Sequence, residues 1–206
     1  MAFVCIDILA DKNYICRDMI ELVYAQDPAP LAIGTSPGKS LEMLPVVESS
    51  GLVVAQASRA ACHQRRLLHP VVRLFLINRD GNFFLQKRAS AKELYPGLWD
   101  NAVTGHVIYG ESLMEALYRE SSEEIGLAAF NPVQLGGYVY SDHNEREMVC
   151  VFAAVGNFAL NPHTDEVEDG QFWTAEQIRK KIGGKVFTPG FEKDWVEFGD
   201  KVTALL

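Results

Sequence analysis

Residues 105 to 127, GHVIYGESLMEALYRESSEEIGL, contain a helix whose two ends are marked in the chain itself. Ser112 and Glu115 form a capping box. The hydroxyl accepts from the backbone N–H three residues on, and the carboxylate reaches back to the serine N–H. Gly126 suits the left-handed conformation that closes a helix. These signals predict a helix from Leu113 to Glu124 or Ile125. On it Glu120 lies three residues before Glu123 and four before Glu124, so the three carboxylates share adjoining parts of one surface. At those spacings like charges repel by roughly a few tenths of a kcal/mol per pair. A solvated acidic face would carry such a cluster, and so would a divalent cation. All-oxygen ligands suit Mg²⁺ or Mn²⁺ rather than a softer metal.

The flanking sequence supplies strands. MLPVV and LVVAQ enclose the turn-like ESSG and predict a hairpin, after which Ser58 caps a short helix to about Arg65. PVVRLFLIN and NFFLQKR enclose Asp80-Gly81, a strong hairpin signal. ASAKELYPGLWDNAV reads as a loop leading to the glutamate helix. GGYVYSD and EMVCVFAAVGNF read as strands. FWTAEQIRKKI reads as a helix capped by Thr174 with Gln177, GGKVFTPG as a turn, and FEKDWVEFGDKV as a closing amphipathic helix. The mixture predicts an α/β fold with helices on the faces of a mixed sheet. Residues 3 to 25 fit either strand or helix. DPAPLAIGTSPGKS, 27 to 40, has linker composition, which divides the chain into an extension and linker, 1–40, and a main domain, 41–206.

Composition excludes some functions. A net charge of −8 argues against a sequence-independent grip on a nucleic-acid polymer, which needs clustered Lys and Arg. No apolar run is long enough for a membrane helix, and the N-terminus lacks the basic and small-residue marks of a signal peptide. Cys5, Cys16, Cys62 and Cys150 show no metal or CxxC spacing and suggest reduced thiols in a cytoplasmic protein.

The whole pattern of the quoted segment is Gly105, five residues, Glu111, seven residues, Arg119-Glu120, two residues, Glu123-Glu124, one residue, Gly126-Leu127. This resembles the Nudix box, G-x5-E-x7-R-E-U-x-E-E-x-G-U, where U is aliphatic. It departs only at Ser121, where an aliphatic residue is usual, a change that should loosen packing behind the helix. The resemblance is taken to span residues 41 to 206. It implies a Nudix-type α/β/α sandwich with a mixed sheet, and hydrolysis of a diphosphate linkage in a nucleoside-diphosphate-type or related small molecule, with Mg²⁺ or Mn²⁺ as cofactor. It assigns Glu120, Glu123 and Glu124 to the metal, Arg119 to orienting a glutamate, and Gly105 to a close backbone approach. Glu120, Glu123, Arg119 and Glu147 are the catalytic candidates.

LLHPVVRLFLINRDGNFFLQKRASAKELYPGLWDNAVTGHV is similar to a narrower branch, the isopentenyl-diphosphate isomerase-like Nudix proteins. In those isomerases a catalytic cysteine precedes the Gly-His pair, and here Thr104 stands in its place. A hydroxyl is a far weaker acid than a thiol, which argues for hydrolysis over isomerisation. The isomerase, and a ligand-sensing module without catalysis, are the two alternatives. Retention of the box glutamates argues against the second. The same resemblance implies that Arg88 and Lys92 bind the diphosphate. It also implies a second metal site from His69, His106, Glu145 and Glu147, with Cys62 where the isomerases have a first metal-binding histidine. Buried packing is the competing fate of Cys62 and His69. Glu166 is a further candidate metal or base residue. Tyr95, Trp99, Tyr109, Trp173 and Phe191 could stack on a base, though packing is commoner for such side chains. The expected partner is a small diphosphate, with a homodimer admitted.

Overall fold

The computed structural model describes residues 14–15, 22–24, 41–162 and 166–206. Along the chain run β1 (Tyr14–Ile15), β2 (Val23–Tyr24), β3 (Met43–Val47), β4 (Leu52–Ser58), α1 (Arg59–Arg65), β5 (His69–Ile77), β6 (Phe83–Arg88) and β7 (Trp99–Asp100). There follow β8 (Val103–His106), α2 (Leu113–Ile125), β9 (Val133–Ser141), β10 (Arg146–Val155), β11 (Val167–Trp173), α3 (Ala175–Lys181) and α4 (Pro189–Thr203).

The main sheet has the order β1-β9-β10-β5-β6-β11, with β8 beside β5 and β7 beside β6. β5 and β10 pair in parallel at its centre, and the other pairings within it are antiparallel. All nine residues of β5 are buried, which explains why its sequence, HPVVRLFLI, is an apolar run and not an alternating strand. One face carries Leu74, Leu76 and Phe152 against Ala116, Leu117 and Ile125 of α2. The other carries Phe75, Ile77 and Tyr138 against Ile178 of α3 and Phe191, Trp195 and Phe198 of α4. Each large side chain so buried contributes about 2 kcal/mol. The expected α/β/α sandwich with a mixed sheet is therefore the observed fold. A smaller sheet, β2-β4-β3, lies beside α1, whose Ala61 and Cys62 pack with Leu44 and Ala57. Residues of the N-terminal extension thus join both sheets, through β1 and β2. The linker at 27–40 lies outside the described residues.

Several local expectations hold. The capping boxes of α2 and α3 are both formed, Ser58 caps α1, and Gly81 takes the positive φ of 79° that its hairpin turn requires. Others need correction. Phe172 and Trp173 end a strand and do not begin a helix. β11 was hidden because VEDGQFW alternates poorly, and it lies at an edge where only Val167 and Trp173 are buried. The predicted loop 89–103 contains β7, too short to show a period. The closing helix starts at Pro189, inside the expected turn, because Thr188 caps it and proline is favoured in a first turn.

Ser121 is fully buried on α2, and its hydroxyl has no hydrogen-bond partner. This is the physical form of the departure at the aliphatic position of the box. Removing an unsatisfied buried hydroxyl restores its desolvation cost. Ser121→Ala should therefore raise stability by about 1 kcal/mol, read as a higher urea midpoint at unchanged m-value.

Candidate active site

A cavity of about 370 Å³ opens at one end of the sheet, a size in the usual range for small-molecule sites. Strand β8 forms part of its wall. Gly105 is the hinge between two clusters of charge. A Cβ at Gly105 would collide with the carboxylate of Glu120, so glycine alone allows α2 to press its glutamates against the strand.

Arg119 organises the glutamates of α2. It donates through Nε to Glu111 at 2.7 Å, and through Nη1 to Glu120 at 2.8 Å and Glu123 at 3.3 Å. Its Nη2 reaches Glu111 at 2.9 Å and the carbonyl of His106 at 2.9 Å. The guanidinium thus orients not one glutamate, as the sequence suggested, but three, and fastens them to β8. Glu124 is buried and accepts from Gln86 Nε2 at 2.9 Å and from the Thr104 N–H at 3.1 Å. Burial, with the nearby Glu120 charge, raises its pKa to about 7. Glu123 stays largely in solvent. Of the three residues assigned to a metal, Glu120 and Glu124 are desolvated and Glu123 is open to solvent.

On the cavity side, His63, His69 and His106 form a triangle with ring centroids 5.2–5.3 Å apart. Their nearest ligand atoms lie within 4.8 Å of one another. His69 Nδ1 lies 2.7 Å from the carbonyl of Leu67, which fixes the proton there and leaves Nε2 as a lone pair. Nε2 of His69 and Nε2 of His106 are buried without partners. Burial lowers the pKa of His63 and of His69 to about 4, and holds that of His106 well below its ordinary value. Neutral imidazoles, two of them with an unused nitrogen, are the state in which histidine binds a metal. Glu145 lies 3.6 Å from His63, and burial beside Glu147 raises its pKa to about 8. Glu147, paired in register with His69 across β5 and β10, is buried and bound by Arg73 at 2.8 Å.

Of the two fates open to Cys62, packing is the one observed, and Cys62 does not enter the cluster. It is buried among Leu44, Ala57 and Ala61, its thiol raised to about 12 by desolvation. His63, the next residue on α1, faces the cavity instead. No spacing rule pointed to it; the short helix between Ser58 and Arg65 was legible, and its cavity-facing side could have been examined.

Arg88 and Lys92 both line the cavity. Arg88 donates to the Leu94 carbonyl at 3.1 Å and to Asp100 at 3.4 Å, and Lys92 pairs with Glu166 at 2.6 Å. Tyr95 also lines it, and its hydroxyl meets Asp142 at 2.9 Å. Trp99 instead packs edge-on to Trp173, and Phe191 is core. Sequence reading missed Arg73, which resembled an interruption of an apolar strand. It lies opposite Thr104 across β5 and β8 and donates to Glu147, Asp194 and Tyr138. Burial opposes its charge, but these partners, Asp194 foremost, hold it firmly protonated.

A NUDIX domain model matches residues 67–191, a stretch that contains the glutamates, arginine and glycine just described. The chain belongs to the Nudix family. This Nudix chain is 30% identical, over 156 residues covering 72% of it and 79% of the relative, to an isopentenyl-diphosphate Delta-isomerase of Streptomyces griseus. It is 32% identical, over 152 residues covering 73% of it and 82% of the relative, to the uncharacterized Nudix hydrolase YfcD of Escherichia coli K12. Among solved structures, DR0079 of Deinococcus radiodurans superposes with a TM-score of 0.64 at 26% identity, covering 78% of this chain and 99% of that one. Among the described residues, no helix of this Nudix protein is long and apolar enough to cross a membrane.

The raised pKa of Glu124 has a consequence for stability. Its folded value near 7 exceeds the ordinary 4.5, so the folded state binds the extra proton between those limits. The associated stability is complete below about pH 4.5 and lost as pH rises through 7. In chelator-treated protein, Glu124→Gln should melt above wild type at pH 8, with the advantage gone near pH 4.5. Calorimetry across that range checks it.

Proposed function

We propose that this Nudix protein is a divalent-metal-dependent hydrolase of the diphosphate linkage in a small molecule, of the nucleoside-diphosphate kind or a related one. The observation that supports this most directly is the glutamate helix: Glu120 and Glu123 held by Arg119, Glu120 admitted against β8 by Gly105, and Glu124 bound to the Thr104 N–H. The residues fit a cation on two grounds. The buried Glu120 carboxylate fills a glycine cradle with its charge acting on buried Glu124, and two imidazole nitrogens of the cavity cluster are buried and unpartnered.

Glu120, Glu123 and Glu124 would hold Mg²⁺ or Mn²⁺, the ions that all-oxygen ligands favour. The second set, His69, His106, Glu145 and Glu147 with His63 added, mixes nitrogen and oxygen and suits a transition ion such as Mn²⁺. Cations so bound would neutralise phosphate charge and lower the pKa of water. Arg88 receives the diphosphate with its planar fork, and Lys92 adds a point charge. Glu123, the most open of the three box glutamates, takes the proton from the attacking water. Arg73 holds Glu147 in place. The expected partner is a small diphosphate, not a nucleic-acid polymer.

The rival reading is isomerisation of isopentenyl diphosphate, favoured by the names of several relatives and by the histidine–glutamate cluster. Against it stands Thr104, whose hydroxyl is too weak an acid to protonate an alkene. Release of phosphate or nucleoside monophosphate from a panel of diphosphates with Mg²⁺ tests the reading. Glu123→Gln should cut kcat at least about 100-fold, the scale of a lost acid–base or metal-binding carboxylate, without lowering the Tm. Full activity in that variant would remove the box from the mechanism. Incubated with isopentenyl diphosphate, wild-type protein should yield no dimethylallyl diphosphate by NMR; its appearance at enzymatic rates would replace the hydrolase by an isomerase.

A further inference from the structure

One buried charge has no part in the proposed reaction. Arg73 donates to Glu147 through Nη2 at 2.8 Å and to Asp194 through Nη1 at 3.2 Å, so a single guanidinium faces two carboxylates. The two carboxylates differ in what else they meet. Asp194, on α4, is sealed from solvent and is not among the residues that line the cavity. Its Oδ1 accepts from the Tyr138 hydroxyl at 2.6 Å, and its Oδ2 from Asn101 Nδ2 at 2.7 Å as well as from Arg73. Burial raises the pKa of Asp194, and these donors, Arg73 first, oppose the rise. All three partners donate, so the ionised carboxylate is the form they suit. Glu147 does line the cavity, opposite His69 in register. Among the described residues it accepts from Arg73 alone, through Oε2. Thr188 and Gly190, at the start of α4, form the cavity floor. A Cβ at Gly190 would lie 2.7 Å from Nη1 of Arg73, so the helix meets the guanidinium with bare backbone.

We propose that Asp194 is a positioning residue for the histidine–glutamate metal site: it takes up the charge of Arg73, so that Glu147 is held by the guanidinium and still offers a cation its negative charge. The proposal rests on the reading of that cluster as metal ligands and adds to it a residue that touches neither metal nor substrate. A buried ion cluster is a weak source of stability, since apolar side chains of similar volume commonly serve a core as well. Arg73 and Glu147 alone would make a neutral pair, which has little attraction for a cation. With Asp194 the three groups carry one net negative charge, and the wall of the cavity is where Glu147 presents it. The donors on Asp194 fix it in place, so its share of the guanidinium does not vary with what enters the cavity. Partners behind a metal ligand act in this way, by setting the orientation and charge of the ligand itself.

The test titrates Co²⁺ into chelator-treated protein, because imidazole ligation gives this ion a visible absorption that all-oxygen ligands do not match. Wild type should develop that band. Asp194→Asn keeps the shape of the side chain and removes its charge, and should weaken Co²⁺ binding about tenfold or more, the scale of a lost partner behind a metal ligand. In an Arg73→Gln background no charge is left to balance, and the same substitution should change the affinity by less than about twofold. Unchanged affinity in Asp194→Asn overturns the proposal. So does a loss that persists in the Arg73→Gln background, which is what damage to the fold alone would give. Should Asp194→Asn fail to fold, Arg73→Gln decides. Its amide still donates to Glu147 and the opposing charge is gone, so Co²⁺ should bind more tightly than to wild type, and equal or weaker binding overturns the proposal. Absence of the band in wild type is a separate failure, of the histidine–glutamate metal site itself, and the role of Asp194 falls with it.

Discussion

The organising constraint in this protein is the accumulation of carboxylates in a space from which water is largely removed. Glu120, Glu124, Glu147, Asp100 and Asp194 are all buried at or near one end of the sheet. Two guanidinium groups make that arrangement tolerable. Arg119 gathers the glutamates of α2 from the outside, and Arg73 joins Glu147 to Asp194 from within. Neither set is fully neutralised. Burial, with Glu120 beside Glu124 and Glu147 beside Glu145, raises the pKa of both. A site with unbalanced negative charge and unprotonated imidazoles is less stable than it could be, and is for that reason receptive to cations.

The geometry follows from the central parallel pair. Because β5 and β10 run side by side in the same direction, His69 and Glu147 arrive together at one edge. β8 pairs antiparallel with β5 and brings Thr104 and His106 to the same place. α2 then covers one face of the sheet and α4 the other, and each sends polar groups to that end. The cavity is therefore walled by strand ends and floored by a helix start, on rigid elements and not on loops alone. The loop after β6 is the exception, tied down through Tyr95 and Asp142 and through Lys92 and Glu166.

Much of this was legible in the chain. The caps of α2, the spacing of its glutamates and the hairpin at Asp80-Gly81 depend on neighbours a few residues away, and such rules are local. The same holds for the box, a single loop and helix. What escaped was set by distant partners. Cys62 and His63 are adjacent, and only the rotation of a seven-residue helix decides which of them meets His69 and His106. Arg73 breaks an apolar run for no local reason; its purpose becomes visible only with Asp194, 121 residues away. β11 has little apolar signal because it lies at an edge.

That separation in sequence has a consequence for how the chain reaches its working form. Arg73 finds Glu147 across 74 residues and Asp194 across 121, and β1 closes on β9 over a similar span. Contacts of this range require large loops to close before they return any stabilisation, and domains dominated by them fold slowly. The buried arginine is a poor tenant of any intermediate that lacks α4, because its charge would then sit in an apolar strand with one partner missing. Docking of the last helix is thus the event that both seals the core and completes the cavity floor. The cavity has no floor until α4 has docked, and a molecule that sheds α4, even briefly, loses the shape of its cavity together with its stability.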